Sequence, residues 1–456
     1  MIALARIWMF RRYYLPKVYI WAFLVVSAVL LGFLSWASMT YCATPGTESK
    51  SKSQEDPMKR YLTDGDIQEG LRKARLNMKT FRDSYWREQV VIFSIHSGHV
   101  NKRVQKIARA CVNDSDDRIH ALSTLSIVFA QTGKVESAIK VARKVLEADR
   151  DNARAMASLA LALSKRGEPE EADRLMMKAI SDGGGNEDVM FLACNFYERQ
   201  GRLSDALNAL ELWTQLKPNS AYAHYMKGHY FDKSLSMSRA KAEFEKAISL
   251  NPNYWNAKKD LASVLTYQKD FKRAAVLYES ILRAGKGSAA SYIHYAECLE
   301  ALGKNGQALE KYTLALNKVC YTRDPQEAIK AITHIKIGRR KWAVQAGAGR
   351  VRMLMETGSL EQALNEANQL SVLLSSSLEP RYMKMLVLTR MKKYDLALRE
   401  INLLIADEKD IPLFFLKRAE IHRMMNKPEE AARDVVLARR LQKYGSIEEP
   451  ASASRD

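Results

Sequence analysis

The chain has 456 residues, 47% of them hydrophobic, with only 21 Gly and 11 Pro. Such a composition allows a large core and argues against a β-rich or disordered chain. Lys and Arg outnumber Asp and Glu by 71 to 52; the net charge of +19 permits an anionic contact without requiring one, because basic residues spread over solvated helix faces give the same sum.

The first element in chain order is Val18–Met39, VYIWAFLVVSAVLLGFLSWASM, 22 residues without a charge. At ~1.5 Å per residue it is long enough to cross a bilayer core. It exceeds the roughly 7–15 residues of a cleaved leader's apolar region, although Ser35-Trp36-Ala37 offers a cleavage site as the alternative. Arg6, Arg11, Arg12 and Lys17 precede the span, and the first charge after it is Glu48. The positive-inside rule therefore places residues 1–17 in the cytoplasm and the rest of the chain across the membrane, as in a bacterial inner-membrane signal-anchor protein. Met39-Thr40-Tyr41 before Cys42 is not a lipobox. Ala28 and Gly32, four apart, allow two anchors to pack, which permits a homodimer that nothing else in the sequence supports. Residues 40–60 are polar and form a linker.

Beyond the linker one spacing dominates. Ala138, Ala172, Ala206, Ala240, Ala274 and Ala308 stand 34 residues apart, and Ala363, Ala397 and Ala431 resume the same spacing. Gly133, Gly167, Gly201, Gly303 and Gly358 lie five residues before such an Ala. Met176, Leu210, Phe244, Tyr278 and Tyr312 lie four after, Ala179, Ala247, Ala315 and Ala438 seven after, and Pro218 and Pro252 twelve after. The pattern predicts a pair of helices per period. Gly ends the first in a left-handed turn, Ala sits at a close crossing, the large residue fills the resulting groove, and Pro precedes the next pair.

This spacing, with the runs Lys217-Pro218-Asn219-Ser220-Ala221-Tyr222 and Ala247-Ile248-Ser249-Leu250-Asn251-Pro252-Asn253-Tyr254, resembles the tetratricopeptide repeat over about three-quarters of the chain. The departures are Leu122, Met156 and Met190 where the family has an aromatic fourth residue, and Val351 and Met385 at the usually small eighth. The resemblance implies an all-α fold: a right-handed α-solenoid of helical hairpins, here preceded by one N-terminal transmembrane helix. Six repeats are expected over 119–322 and three over 344–443. A capping helix (Asp66–Phe81) and a degenerate repeat (Tyr85–Asp114) fill 61–118, and 444–456 is a polar, disordered tail.

Residues 323–343 interrupt the period. Asp324 and Pro325 suit a helix start, Ile329, Ile332 and Ile335 make an apolar stripe, and Lys336, Arg339, Arg340 and Lys341 form a basic run before Trp342, with Arg350 and Arg352 just beyond. An inserted helix here is expected to break the stacking and separate a six-repeat block from a three-repeat block. Its basic end is either a solvated face or a contact for anionic lipid, polymer or protein. Nucleic acid is not expected, since no base-reading module is present.

No catalytic pattern appears. His96 and His99 lack a third ligand and read as structural. Gly183-Gly184-Gly185 is not followed by Lys-Ser/Thr, and no G-x-S-x-G occurs. Cys42, Cys111, Cys194, Cys298 and Cys320 are odd in number and widely spaced, with no C-x-x-C, so neither a zinc module nor a disulfide framework is expected; Cys194 and Cys298 fall at packing positions. The expectation is a non-enzyme without cofactor or metal that binds proteins.

In the family the second, fifth, ninth and twelfth positions of each unit face a concave groove. Carried over, these give Phe191, Asn195, Tyr222, Tyr225, His229, Asn256, Lys259, Ile293 and Glu297 as partner-groove candidates. Ser123 and Ile127 stand where chaperone-tail binders carry Lys and Asn, so that partner class is not implied. The leading expectation is a scaffold for a bacterial envelope complex of the polysaccharide-export or secretion type. The alternatives are an organelle-surface receptor with cytosolic repeats and a regulatory subunit of a membrane enzyme complex.

Overall fold

The computed structural model describes residues 58–445 apart from 82–83, 116, 321, 323, 325–326, 330–331, 333–336 and 375–376; within them every regular element is a helix. The span Val18–Met39, residues 40–57 of the linker and residues 446–456 of the tail lie outside the described residues; Lys59 and Arg60 instead begin the helix Lys59–Thr63, and residues 444–445 end the helix Pro428–Gly445, so both polar segments are shorter than expected. None of the described helices is long and apolar enough to cross a membrane.

Nine helical pairs follow the predicted register. They are Arg118–Gln131 with Val135–Ala148, Ala153–Arg166 with Pro169–Gly183, Glu187–Arg199 with Leu203–Leu216, Ala221–Lys233 with Met237–Leu250, Trp255–Tyr267 with Phe271–Arg283, Ala289–Ala301 with Asn305–Cys320, Ile337–Glu356 with Leu360–Leu373, Leu378–Arg390 with Tyr394–Asp407, and Pro412–Met424 with Pro428–Gly445. Local chemistry sets the starts. The side chains of Asn152, Asn186, Ser220 and Ser288 each accept a backbone N–H two or three residues on, ahead of the second, third, fourth and sixth pairs. Tyr254 holds the same position ahead of the fifth pair and makes no such cap.

The turn inside each pair is left-handed. Gly133, Gly167, Gly201, Gly303 and Gly358 take φ between 72° and 96°, and in the four repeats without that Gly the same position is occupied by Leu235, Lys269, Lys392 and Asn426 at φ 56° to 63°. The backbone conformation therefore belongs to the repeat and is imposed on side chains that disfavour it. The Ala of the register is buried in all nine pairs, and Phe244, Tyr278 and Tyr312 beside it are at most 1% exposed. Burying each aromatic contributes on the order of 1.5–3 kcal/mol. A Cβ added to Gly228, at the eighth position of the fourth repeat, would lie 2.7 Å from the Phe244 ring, which is why only a very small residue fits there.

At the interruption the structure departs from the expectation. Glu327–Ile329 is helical, and Ala328, Ile329 and Ile332 are fully buried in the same core as Tyr312, Ala343 and Leu370. The basic run does not close a separate inserted helix. Arg339, Arg340 and Lys341 stand on the opening turns of the continuous helix Ile337–Glu356, because no Pro or cap residue intervenes before the seventh repeat; Lys336 and Ile335 lie outside the described residues. That helix packs on both helices of the sixth repeat, so the stack is not split into two blocks. Arg350 and Arg352 are turned inward. Arg350 makes a two-pronged ion pair with Glu366 at 2.8 and 2.6 Å, with both side chains buried, and Arg352 binds Glu300 at 3.0 Å.

The N-terminal end also differs. Ile67–Phe81 is not a lone cap: Lys59–Thr63 precedes it, joined by a turn whose Gly65 has φ +75° and stands two periods before Gly133. It is the second helix of a hairpin, packed on Ser84–His96 with Gly70 against the Phe93 ring.

Candidate functional site

First helices of successive pairs touch one another along most of the stack while second helices make no comparable contact, so the first helices form the inner layer. The predicted groove residues all lie on these helices, but their surroundings divide them. Phe191 and Tyr222 are buried, not open to a partner: the His96 ring packs on both, at centroid distances of 4.8 and 5.6 Å. Ile293 is fully buried in the core between repeats. Tyr225 donates to the Asp260 carboxylate at 3.0 Å, with its ring between Tyr254 and His229. Burial, and then the Asp260 charge, raise its phenol well above the ordinary value. Asn195 and Glu297 are half-buried, and Glu297 accepts from Gln345 and lies beside His294. Only Asn256 and Lys259 of this set are exposed.

What covers the middle of the groove is the chain's own N-terminal region. His96 Nε2 lies 2.6 Å from Asp188 Oδ1, and Nδ1 lies 3.3 Å from the Tyr222 hydroxyl. Arg154 Nη2 is 2.9 Å from the other Asp188 oxygen and donates to Thr124 Oγ1 at 2.9 Å; Arg154 Nη1 approaches His120, whose Nε2 is 2.8 Å from Glu88. Burial alone would raise the Asp188 carboxyl, but the Arg154 guanidinium and His96 reverse this and hold it well below the usual carboxylate range. The cluster thus ties a helix of the degenerate repeat to the first three repeats. Sequence reading assigned His96 a structural part but gave no sign of Asp188 and Arg154, which look like ordinary solvated charges at their positions.

An open surface exists further along. Glu300, Arg352, Met353, Met355, Glu356, Leu386, Thr389, Arg390 and Met424 line a cleft of about 650 Å³ at the ends of the first helices of the sixth to ninth repeats. Met424 is 55% exposed. Arg390 pairs with Glu356 at 2.8 Å, so the rim is charge-balanced around an apolar floor. Met353 and Met355 are buried beneath it, and no spacing in the sequence marks Met424 as exposed. The basic run is exposed at Arg339, Arg340 and Lys341, the last stacked over Trp342, and a smaller cleft of about 440 Å³ beside it is lined by Ser288, Lys318, Arg339 and Trp342. Among the described residues no three His, Cys, Asp or Glu side chains gather as metal ligands. Cys111, Cys194, Cys298 and Cys320 are all buried, and burial pushes the Cys111 thiol up to about 12 and Cys320 up to about 11.

A tetratricopeptide-repeat profile matches residues 124–173, 225–289 and 259–328. No curated protein matches the chain. Among solved structures, Pseudomonas aeruginosa pilF is 24% identical over 47% of this chain and 98% of its own, with a TM-score of 0.37. PilW, a widely conserved type IV pilus biogenesis factor, is 16% identical over 47% of this chain and 100% of its own, TM-score 0.37. A chain of the APC/C hetero-tetramer Cut9–Hcn1 is 11% identical over 90% of this chain and 96% of its own, TM-score 0.39. Scores this low carry nothing about partners; the weight rests on the profile match and on nine helical pairs in one register. The profile identifies tetratricopeptide repeats within residues 124–173 and 225–328, a repeat type that implies a protein–protein interaction scaffold, and the helical pairs of the described residues carry the same register on either side of them.

Proposed function

We propose that this protein is a membrane-anchored scaffold that binds a protein partner and performs no catalysis itself. The observation that carries the reading is the Met-lined cleft, an apolar floor of about 650 Å³ with a balanced charged rim, left open where the inner layer of the earlier repeats is covered. Such a surface suits the apolar face of a helix or an extended peptide. The uncharged span Val18–Met39 and its basic leading flank support an anchor with the repeats across the membrane, and so a role in a bacterial envelope complex of the export or secretion type. Residues Arg339, Arg340 and Lys341, exposed together beside Trp342, support a second contact with anionic lipid or polymer.

The test is capture from native membranes with the full chain, comparing the parent with Met424→Asp, at the exposed Met of the cleft, and with Arg339→Glu/Arg340→Glu/Lys341→Glu. Loss of a specific partner in the first variant alone supports the cleft, whereas loss in the second alone moves the working surface to the basic turn. A reporter active only outside the cytoplasm, fused after Asp456, is expected to be active; activity of a cytoplasm-only reporter there overturns the topology.

A further inference from the structure

In a simple solenoid each repeat touches only its neighbours. Here the turn at Thr63–Asp66 reaches the fourth and fifth repeats. Ser220 Oγ donates to the Thr63 carbonyl at 3.4 Å and Asn251 Nδ2 to the Asp64 carbonyl at 2.7 Å, spanning 157 and 187 residues of sequence. The Tyr254 ring occupies the space a side chain at residue 65 would need: a Cβ added to Gly65 would lie 2.1 Å from it. Behind Tyr254 stands Tyr225, its ring 4.9 Å away. Met58 and Leu62 are buried with this turn.

Two features distinguish this seam from the packing between repeats. Its side-chain hydrogen bonds run to backbone carbonyls of the turn, beside an apolar contact in which Met58 and Leu62 share a core with Tyr222 and Tyr254. A cleft of about 460 Å³ opens beside it, lined by Gly65, Asp66, Glu69, Tyr254, Trp255 and Lys286. Burial raises the half-buried Asp66 carboxyl, and its hydrogen bond with Asn251 opposes the rise.

We propose that the hairpin at residues 58–81 is a displaceable strap: in the closed state it occupies the inner face of the fourth and fifth repeats, and on opening it exposes Tyr254, Tyr225, Ser220 and Asn251 as a second binding surface. The surface fits a ligand of the strap's own chemistry, a backbone turn with Gly at its apex, whose carbonyls meet Ser220 and Asn251 while the Tyr254 ring covers the Gly. The hairpin is therefore autoinhibitory toward that ligand. This inference does not depend on the Met-lined cleft or on any particular partner.

The experiment uses the full chain carrying Cys42→Ser and spin labels at the exposed positions Lys59→Cys and Asn253→Cys, with hydrogen exchange measured on the same proteins. The parent is expected to give one short, narrow distance. Gly65→Val, which drives a side chain into the ring, and Tyr254→Ala, which removes the ring without straining the turn, are each expected to add a long, broad population. Exchange in Ala221–Lys233 is expected to rise about tenfold or more while Tyr394–Asp407 is unchanged. A single narrow distance in both variants overturns the proposal. So does loss of protection through all repeats together, which makes the hairpin an inseparable part of one cooperative core.

Discussion

His96 Nε2 lies 2.6 Å from the Asp188 carboxylate, joining helices 92 residues apart, and Arg154 holds the second carboxylate oxygen at 2.9 Å. The carboxylate is buried between these groups and its pKa is lowered, so its stabilisation is complete above the unfolded value near ~3.9 and declines as pH falls below it. Asp188→Asn leaves Arg154 buried without its anion, and the expected loss at neutral pH is about 3–5 kcal/mol. Urea denaturation at pH 7, 5 and 3 checks this: the gap between parent and variant should be similar at the first two and narrow at the third. A gap independent of pH would show that the ionised pair is not its cause.

Among the described residues four turns hold a residue other than Gly in the left-handed region, and Leu235, Lys269 and Lys392 among them are exposed, so their side chains contribute little packing. That conformation costs such residues roughly 1–2 kcal/mol. Replacing any one of the three by Gly is therefore expected to stabilise the protein by about 1 kcal/mol, seen as a higher denaturation midpoint. Asn426→Gly should gain less, because Asn tolerates the conformation.

These turns mark the limit of what the sequence makes legible. The helical pairs were readable because Ala and Gly recur at positions where only small or left-handed residues fit comfortably, and the nine buried Ala bear that out. Where Leu235 or Lys392 replaces Gly, the turn persists without its local signal. The seam between Gly65 and Tyr254 had no signal of this kind, because it depends on how the stack curves and not on any spacing along the chain. Arg350 and Arg352 illustrate the same limit for charge. In sequence they extend a basic run, yet Glu366 and Glu300, far along the chain or on another helix, draw them inward.

Ala240 is fully buried at the crossing of the fourth repeat, with Phe244 and Gly228 beside it. Ala240→Trp forces the crossing apart and is expected to destabilise by about 1–3 kcal/mol or more. Thermal or urea unfolding followed by circular dichroism measures it. An unchanged midpoint would mean that this crossing is not close-packed.

The Arg350–Glu366 pair lies where the interruption was expected to divide the array, and it supplies the sharpest test that the array is continuous. Glu366 is fully buried, and Arg350 reaches both of its oxygens and also Thr313 in the sixth repeat. Glu366→Gln removes the charge and leaves the guanidinium buried, at an expected cost of about 3–5 kcal/mol. Replacing both partners, Arg350→Met with Glu366→Leu, removes the stranded charge and is expected to recover most of that loss, since apolar residues of similar volume fit a buried pair's site. Because apolar packing runs from Tyr312 through Ile329 and Ile332 to Leu370, the single change should lower hydrogen-exchange protection in Asn305–Cys320 and Leu360–Leu373 together. Loss of protection confined to Leu360–Leu373 and the repeats after it would instead restore a boundary at the interruption. A single variant no less stable than the double would mean that the pair's buried charge is not what holds this junction.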